Sequence, residues 1–314
     1  MSYIEEQEAL LRTKVYPQTK KPDFELFWQR AVSELRSAPL SVTRERLKTP
    51  FDRSFLTDRL TYTTHDDTKV VAIFSWPTGA EGKLPCVVWF HGGSVRKDFH
   101  PEVLAAGACC LAIDVRAQGG ETIDRARYTS GDVNGGLMTR GLLDPENHYL
   151  RNIYLDAVRA VDVASELPEV DPERIVTYGG SQGGALSIAA SAMSGKSRKC
   201  YSFVTSYCCL RRRTELGSRI FKSVHDYLAG YPEHTDQVFD TLSYFDVINL
   251  VSLLKVPTFF ALGLSDDVCL PEFVYSAYAH APCEKEITIH PFTPHTTPEA
   301  YKERVLFEIA ALRD

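Results

Sequence analysis

Apolar residues along this chain follow two rhythms. At helical spacing they fall on Phe24, Phe27, Trp28, Ala31, Val32 and Leu35, which predicts an amphipathic helix over residues 23–35 with Asp23 as its N-cap. The same period runs through Leu150, Ile153, Tyr154, Ala157, Val158, Val161 and Ala164 and predicts a long helix over 147–167. Shorter helical stretches are predicted at 101–106, 185–193 and 298–312. The second rhythm is the short run rich in β-branched and aromatic residues, bounded by turn formers. Such runs predict extended segments at 59–64 and 69–76, divided by the turn His65-Asp66-Asp67, and buried strands at 86–90, 108–115, 174–178, 200–205, 257–262 and 286–290.

Strands alternating with helices predict a mostly parallel, doubly wound α/β sheet with right-handed crossovers. Two stretches stand outside that alternation. About residues 1–50 form an N-terminal extension of helical character, and about residues 206–255 form a polar, partly helical insertion longer than a usual crossover. The insertion is expected over the strand ends, where it would shape a substrate pocket. No repeat, low-complexity tract or linker divides the chain, so one domain over 1–314 is expected.

The junction between the 174–178 strand and the 185–193 helix reads Gly179-Gly180-Ser181-Gln182-Gly183-Gly184. A Gly-x-Ser-x-Gly sequence between a strand and a helix is the nucleophile elbow of the α/β-hydrolases. Ser181 is therefore the expected nucleophile, against the plainer alternative of a serine that only caps the helix. A serine hydroxyl needs a base to take its proton, and the base needs an acid to orient it; in this fold the chain order is serine, acid, histidine. The loop after the 257–262 strand supplies Asp266, which we assign ahead of its neighbour Asp267. The loop after the last strand supplies His295, assigned ahead of His290, which lies within or at the end of that strand. A tetrahedral intermediate also needs two donors for its oxyanion. The Gln182 N–H is one, and the Gly93 N–H, in the His91-Gly92-Gly93 loop after the 86–90 strand, is the other, with His91 bracing that loop.

Composition narrows the partners. The chain has 314 residues, a hydrophobic fraction of 44% and a formal net charge of -6, which gives no reason to expect nucleic acid or an anionic membrane. No apolar run approaches the length of a membrane span. The acidic start, Met1 to Glu8, lacks the basic and apolar regions of a signal peptide and favours the cytoplasm. The eight cysteines are scattered, with no Cys-x-x-Cys pair and no His/Cys zinc spacing, so reduced thiols and no metal are expected. The run Arg211-Arg212-Arg213 reads as a solvated helix face.

With these residues in place, the chain resembles the acetyl xylan esterase/cephalosporin C deacetylase family, carbohydrate esterase family seven, from about residue 24 onward. The resemblance rests on Met138-Thr-Arg-Gly-Leu-Leu-Asp144, Tyr154-Leu-Asp-Ala-Val-Arg-Ala160, the elbow, Thr241-Leu-Ser-Tyr-Phe-Asp-Val-Ile-Asn249 and Gly263-Leu-Ser-Asp266. It implies the α/β-hydrolase fold, with Ser181, Asp266 and His295 on the triad positions. It also implies removal of O-acetyl groups from small acetylated sugars and cephalosporin C, with no metal or organic cofactor. An intracellular homo-oligomer, a hexamer with its sites facing an internal cavity, is implied as well. Four departures stand out. Arg116-Ala117-Gln118 replaces Arg-Gly-Gln, and His295-Thr296 replaces His-Glu after a loop lengthened at Thr293-Pro294. Gly93 replaces an aromatic residue, and Tyr207-Cys208-Cys209-Leu210 stands where a proline and an aromatic residue commonly line the acyl site. Gly92, Tyr207 and Cys209 are accordingly the expected substrate contacts, around a widened acyl space. A broader carboxylesterase for longer acyl groups, and a non-catalytic binding protein of the same fold, are the alternatives.

Overall fold

The structure, a computed structural model, describes residues 2–93, 97–130 and 136–313. Its strands are β1 (Thr43–Leu47), β2 (Phe55–Thr63), β3 (Lys69–Pro77), β4 (Leu84–Phe90), β5 (Cys109–Ile113), β6 (Val170–Gly180), β7 (Lys199–Phe203), β8 (Thr258–Gly263) and β9 (Lys285–His290). They form a 9-stranded sheet in the order β1-β2-β3-β5-β4-β6-β7-β8-β9. The first three are antiparallel, β3 also meets β5 antiparallel, and every later pairing is parallel. The helices are α1 (Tyr3–Arg12), α2 (Phe24–Ser37), α3 (Pro101–Ala105), α4 (Tyr149–Glu166), α5 (Gln182–Ser194), α6 (Leu210–Glu215), α7 (Lys222–Gly230), α8 (Thr235–Ser243), α9 (Val247–Leu250), α10 (Pro271–His280) and α11 (Glu299–Ala310). No helix among the described residues is long and apolar enough to cross a membrane.

Alternation along the strands divides the core. Val88 and Ile175 face the layer of α2, α4 and α5, whereas Val87, Val176 and Tyr201 face α3 and α11. This is the mostly parallel, doubly wound α/β-hydrolase sheet. The strand order reverses at β4, flanked by β5 and β6, and ligands in open α/β sheets bind at such a switch point beyond the carboxyl ends of the strands. The carboxyl ends of β4 and β6 lead into Gly92 and Ser181.

Helix α4 is buried over its length from Tyr149 to Ala164, although its sequence is amphipathic. Its polar side is covered by α2 and the β2–β3 turn, and its charges find partners there. Asp162 pairs with Arg36 of α2, and Arg159 donates to the carbonyls of Thr63, Ala38 and Pro39. Asp156 receives two 2.7 Å hydrogen bonds from Arg116, a fully buried cation that also bonds Asp66, Asp124 and Thr64. Burial pushes Asp156 up to about 6 against the pull of Arg116.

Three expectations are corrected. The N-terminal extension is not helical throughout, because β1 adds to the sheet edge beside β2. Asp23 precedes α2 but makes no side-chain cap; its carboxylate accepts the Tyr244 hydroxyl at 2.6 Å. The basic run is not uniformly solvated, since Arg213 is 2% exposed.

Ala117, where the family resemblance expects glycine, sits at φ 61. A Cβ in the left-handed region costs roughly 1–2 kcal/mol. Ala117→Gly is therefore expected to raise the unfolding free energy by about 1 kcal/mol, the glycine's extra unfolded-state entropy taking back part of the relief. Denaturant titration checks this; a lowered midpoint at unchanged slope would show that the position is not strained.

Candidate active site

At the end of β6 the backbone turns through Ser181 at φ 55, ψ -121, a conformation that a residue with a Cβ rarely holds. Three backbone bonds hold it there. The Ser181 N–H donates to the Phe203 carbonyl at 3.0 Å, and its own carbonyl accepts from Ser206 at 3.0 Å and from Ala185 at 3.2 Å. Glycines flank it because neighbours leave no room: a Cβ on Gly180 would enter the Phe203 ring, and one on Gly183 would strike the Phe90 carbonyl. Ser181 makes no side-chain cap to α5. Its Oγ lies 3.1 Å from His295 Nε2. The capping alternative for this serine does not describe the site.

His295 Nδ1 lies 2.8 Å from Asp266 Oδ2. The other carboxylate oxygen accepts the N–H groups of Val268 and Cys269, both at 2.8 Å, so the carboxylate cannot rotate. Asp266 is 3% exposed. Burial alone would lower the His295 imidazole, but the hydrogen bond it donates to Asp266, joined by the Cys269 thiol, outweighs it and holds the ring above its ordinary 6.5. The lengthened loop before His295 is fixed to the acid loop, as the Ser265 N–H donates to the Thr293 carbonyl at 3.1 Å. Asp267, the rejected neighbour, points outward to Arg219. His290 turns to its own strand neighbour, Thr288 Oγ1, at 3.0 Å.

Gly92 lies against Ser181: a Cβ built on it would stand 4.0 Å from Ser181 Cβ. A Cβ on Gly93 would meet no heavy atom of the described residues within 4 Å. His91 braces the loop, its Nε2 accepting the Val115 N–H at 3.0 Å and its Nδ1–H donating to the Gly92 carbonyl at 2.7 Å. Burial lowers its pKa, which keeps the ring neutral for that role.

Tyr207 and Cys209 are placed differently from expectation. The Tyr207 ring is 1% exposed, and its hydroxyl donates to Gln182 Oε1 at 2.8 Å. The same oxygen accepts Gln118 Nε2 at 2.6 Å, and Gln182 Nε2 donates back to Gln118 Oε1 at 3.1 Å. Tyr207 thus clamps Gln182, the residue after Ser181. Cys209 lines a cavity of about 180 Å³ with Tyr16, Pro17 and Asp246, which contains none of Ser181, Asp266 or His295. Asp246 fixes this turn by accepting the N–H groups of Cys209 and Leu210 at 2.9 and 2.7 Å. Sequence reasoning also missed Arg213, which reaches from α6 to donate to the Val268 carbonyl in the acid loop at 3.0 Å. No periodicity marks contacts of this kind.

An α/β-hydrolase sheet whose strand ends bring together a serine, a histidine and a buried carboxylate defines a serine hydrolase scaffold. The chain belongs to the acetyl xylan esterase (AXE1) family, a family of carboxylic ester hydrolases, whose model matches residues 9–311. It is similar to the acetyl xylan esterase from Paenibacillus sp. R4, with 33% identity, 99% of each chain covered and a TM-score of 0.91. Acetyl xylan esterase 1 from Thermoanaerobacterium sp. JW/SL YS485 shares 29% identity over 100% of this chain and 99% of its own, with a TM-score of 0.90. Acetyl esterase Axe7A of Xylanibacter ruminicola is 27% identical over 296 residues, 90% of this chain; the chain spans 65% of the length of that curated relative.

The pH dependence follows from the electrostatics. A base must be neutral to accept a proton, so with His295 as the base kcat/KM is expected to fall as pH drops through its pKa, and the raised value puts the expected acid limb above pH 6.5. Asp266→Asn removes the charge that raises it. The limb is expected to move to lower pH while kcat falls about 10⁴-fold. A pH–rate profile checks both, and a limb that stays in place would mean that the carboxylate does not act on the imidazole.

Proposed function

We propose that this chain is a cofactor-independent serine esterase that hydrolyses O-acetyl esters of small, carbohydrate-like molecules. The observation that carries the reading is the Ser181–His295–Asp266 relay in a chain of the acetyl xylan esterase family. Ser181 Oγ attacks the acetyl carbonyl as its proton passes to His295 Nε2, forming the Oγ–C bond. Asp266 holds the Nδ1–H tautomer and stabilises the imidazolium. The Gln182 N–H, in the first turn of α5 where N–H groups lack helical partners, and the Gly93 N–H receive the oxyanion. His295 returns the proton to the departing alkoxide, leaving an acetyl-enzyme that water cleaves by the same path. Cephalosporin C is a further acetyl ester within the reading. A cytoplasmic location is supported by eight cysteines that are all free, and a homo-oligomer, hexameric by family resemblance, completes it.

Ser181→Ala is expected to lower kcat on a chromogenic acetyl ester by on the order of 10⁶-fold with the fold intact, and a fluorophosphonate is expected to label the wild type at Ser181 only. Retention of a tenth of the wild-type turnover would remove Ser181 from the role of nucleophile.

The absence of a side chain at Gly93 favours a second reading, tolerance of longer acyl groups. Each methylene that finds an apolar wall contributes roughly 1–3 kcal/mol to transition-state binding. Propionyl and butyryl esters are expected to keep kcat/KM near that of acetyl, and Gly93→Tyr to make the series fall steeply. A steep fall already present in the wild type, unchanged by the substitution, would return the acyl site to acetyl alone.

A further inference from the structure

Among the described residues, Asp266, Cys269 and His295 are the group whose donor atoms converge as metal ligands do, all within 4.8 Å of one another. Two of them form the proton relay; Cys269 donates its backbone N–H to Asp266, and its thiol stands beside the His295 ring. Cys269 is 1% exposed, whereas the His295 side chain is 24% exposed. Behind the thiol is Arg213, a buried guanidinium with no carboxylate partner among the described ion pairs and with Nη2 lacking a hydrogen bond.

We propose that a borderline-soft divalent cation such as Zn²⁺ binds Asp266, Cys269 and His295 and switches the hydrolase off. The proposal rests on the reading of His295 as the base. Zinc takes carboxylate oxygen, thiolate and imidazole at about 2.0–2.3 Å in a tetrahedron, so the sulfur moves in toward the other two donors while the 2.8 Å Asp266–His295 contact opens to admit the metal. The ligand nitrogen is Nδ1, because Nε2 is turned to Ser181. On binding, the Cys269 thiol gives its proton to solvent and becomes the thiolate ligand. The imidazole stays neutral: the metal displaces the Nδ1 proton, and the ring then carries its proton on Nε2. From the active form, with a neutral imidazole and a protonated thiol, one proton is released per metal bound. A nitrogen already protonated cannot take the proton of Ser181 Oγ, so attack stops although the substrate still fits. Arg213 stabilises the thiolate and repels a cation that gains nothing from sulfur. Mg²⁺ and Ca²⁺, which require oxygen shells, are excluded.

The test titrates chelator-treated enzyme with Zn²⁺ and, separately, Mg²⁺ in the acetyl ester assay. Zn²⁺ is expected to lower kcat at least tenfold at saturation with KM nearly unchanged, and a chelator to restore it; Mg²⁺ is expected to have no effect. Cys269→Ala and the near-isosteric Cys269→Ser, each compared with its own metal-free rate, are expected to need at least tenfold more Zn²⁺. Added Co²⁺ is expected to give a thiolate charge-transfer absorption in the wild type that both variants lack. An active enzyme indifferent to Zn²⁺, or variants as sensitive as the wild type, would overturn the site. Absence of activity before any metal is added would instead count against the esterase reading, and the Co²⁺ absorption, which needs no turnover, would still report on the site.

Discussion

The hydrogen bond from the Ser181 N–H to the Phe203 carbonyl is the contact on which the site depends. It joins the strained elbow to the neighbouring strand β7. A non-glycine residue in such a conformation costs on the order of 1–3 kcal/mol and persists only where its surroundings over-determine it. Here they do so from three directions: β7 on one side, Ser206 beyond it, and the first turn of α5. The glycines at 180 and 183 are the counterpart of that constraint, since the Phe203 ring and the Phe90 carbonyl occupy the volume that side chains would need. Within the elbow the strain therefore falls on Ser181, while the glycines on either side leave room for its turn.

Orientation of the acid is supplied from farther away. The oxygen of Asp266 that does not face His295 is held by two backbone N–H groups, and the loop carrying them is held by Arg213 through the Val268 carbonyl. Arg213 belongs to the insertion that follows β7, and Asp246, later in the same insertion, ties down the turn from which α6 starts. The insertion is thus a brace for the loop that carries Asp266. Cys269 lies where this brace meets the relay, which is why a chemically soft ligand stands beside a proton-transfer pair.

Much of this was legible in the residues, and the reasons differ from place to place. The elbow could be read because close approach admits only glycine and small side chains, and steric necessity leaves a local trace. The order of Ser181, Asp266 and His295 could be read because loops at successive strand ends must converge. Helix α10 left no such mark: Phe273, Val274, Tyr275, Ser276 and Ala277 are all buried, so no polar stripe sets its period. Strand β1 is almost wholly exposed and shows no alternation of burial. Tyr207 was read from its position in the chain as a substrate contact, yet its φ of 57 turns it inward toward Gln182, 25 residues away in the chain. Arg213 was read with its neighbours as surface charge, and only the fold shows that its targets are buried carbonyls.

Strand β1 carries one more consequence. It closes one edge of the sheet with Thr43-Arg-Glu-Arg-Leu47, and its two arginines reach across to Asp58 of β2. Arg44 and Arg46 also lie over the aromatic rings of Phe74 and Trp76, covering apolar surface with charge. An edge strand exposes unpaired N–H and C=O groups that invite another chain to add to the sheet, and a dense row of charge is a common deterrent. The short, charged β1 has the composition that discourages strand addition, so an oligomer of this chain is expected to form through other surfaces than a continued sheet.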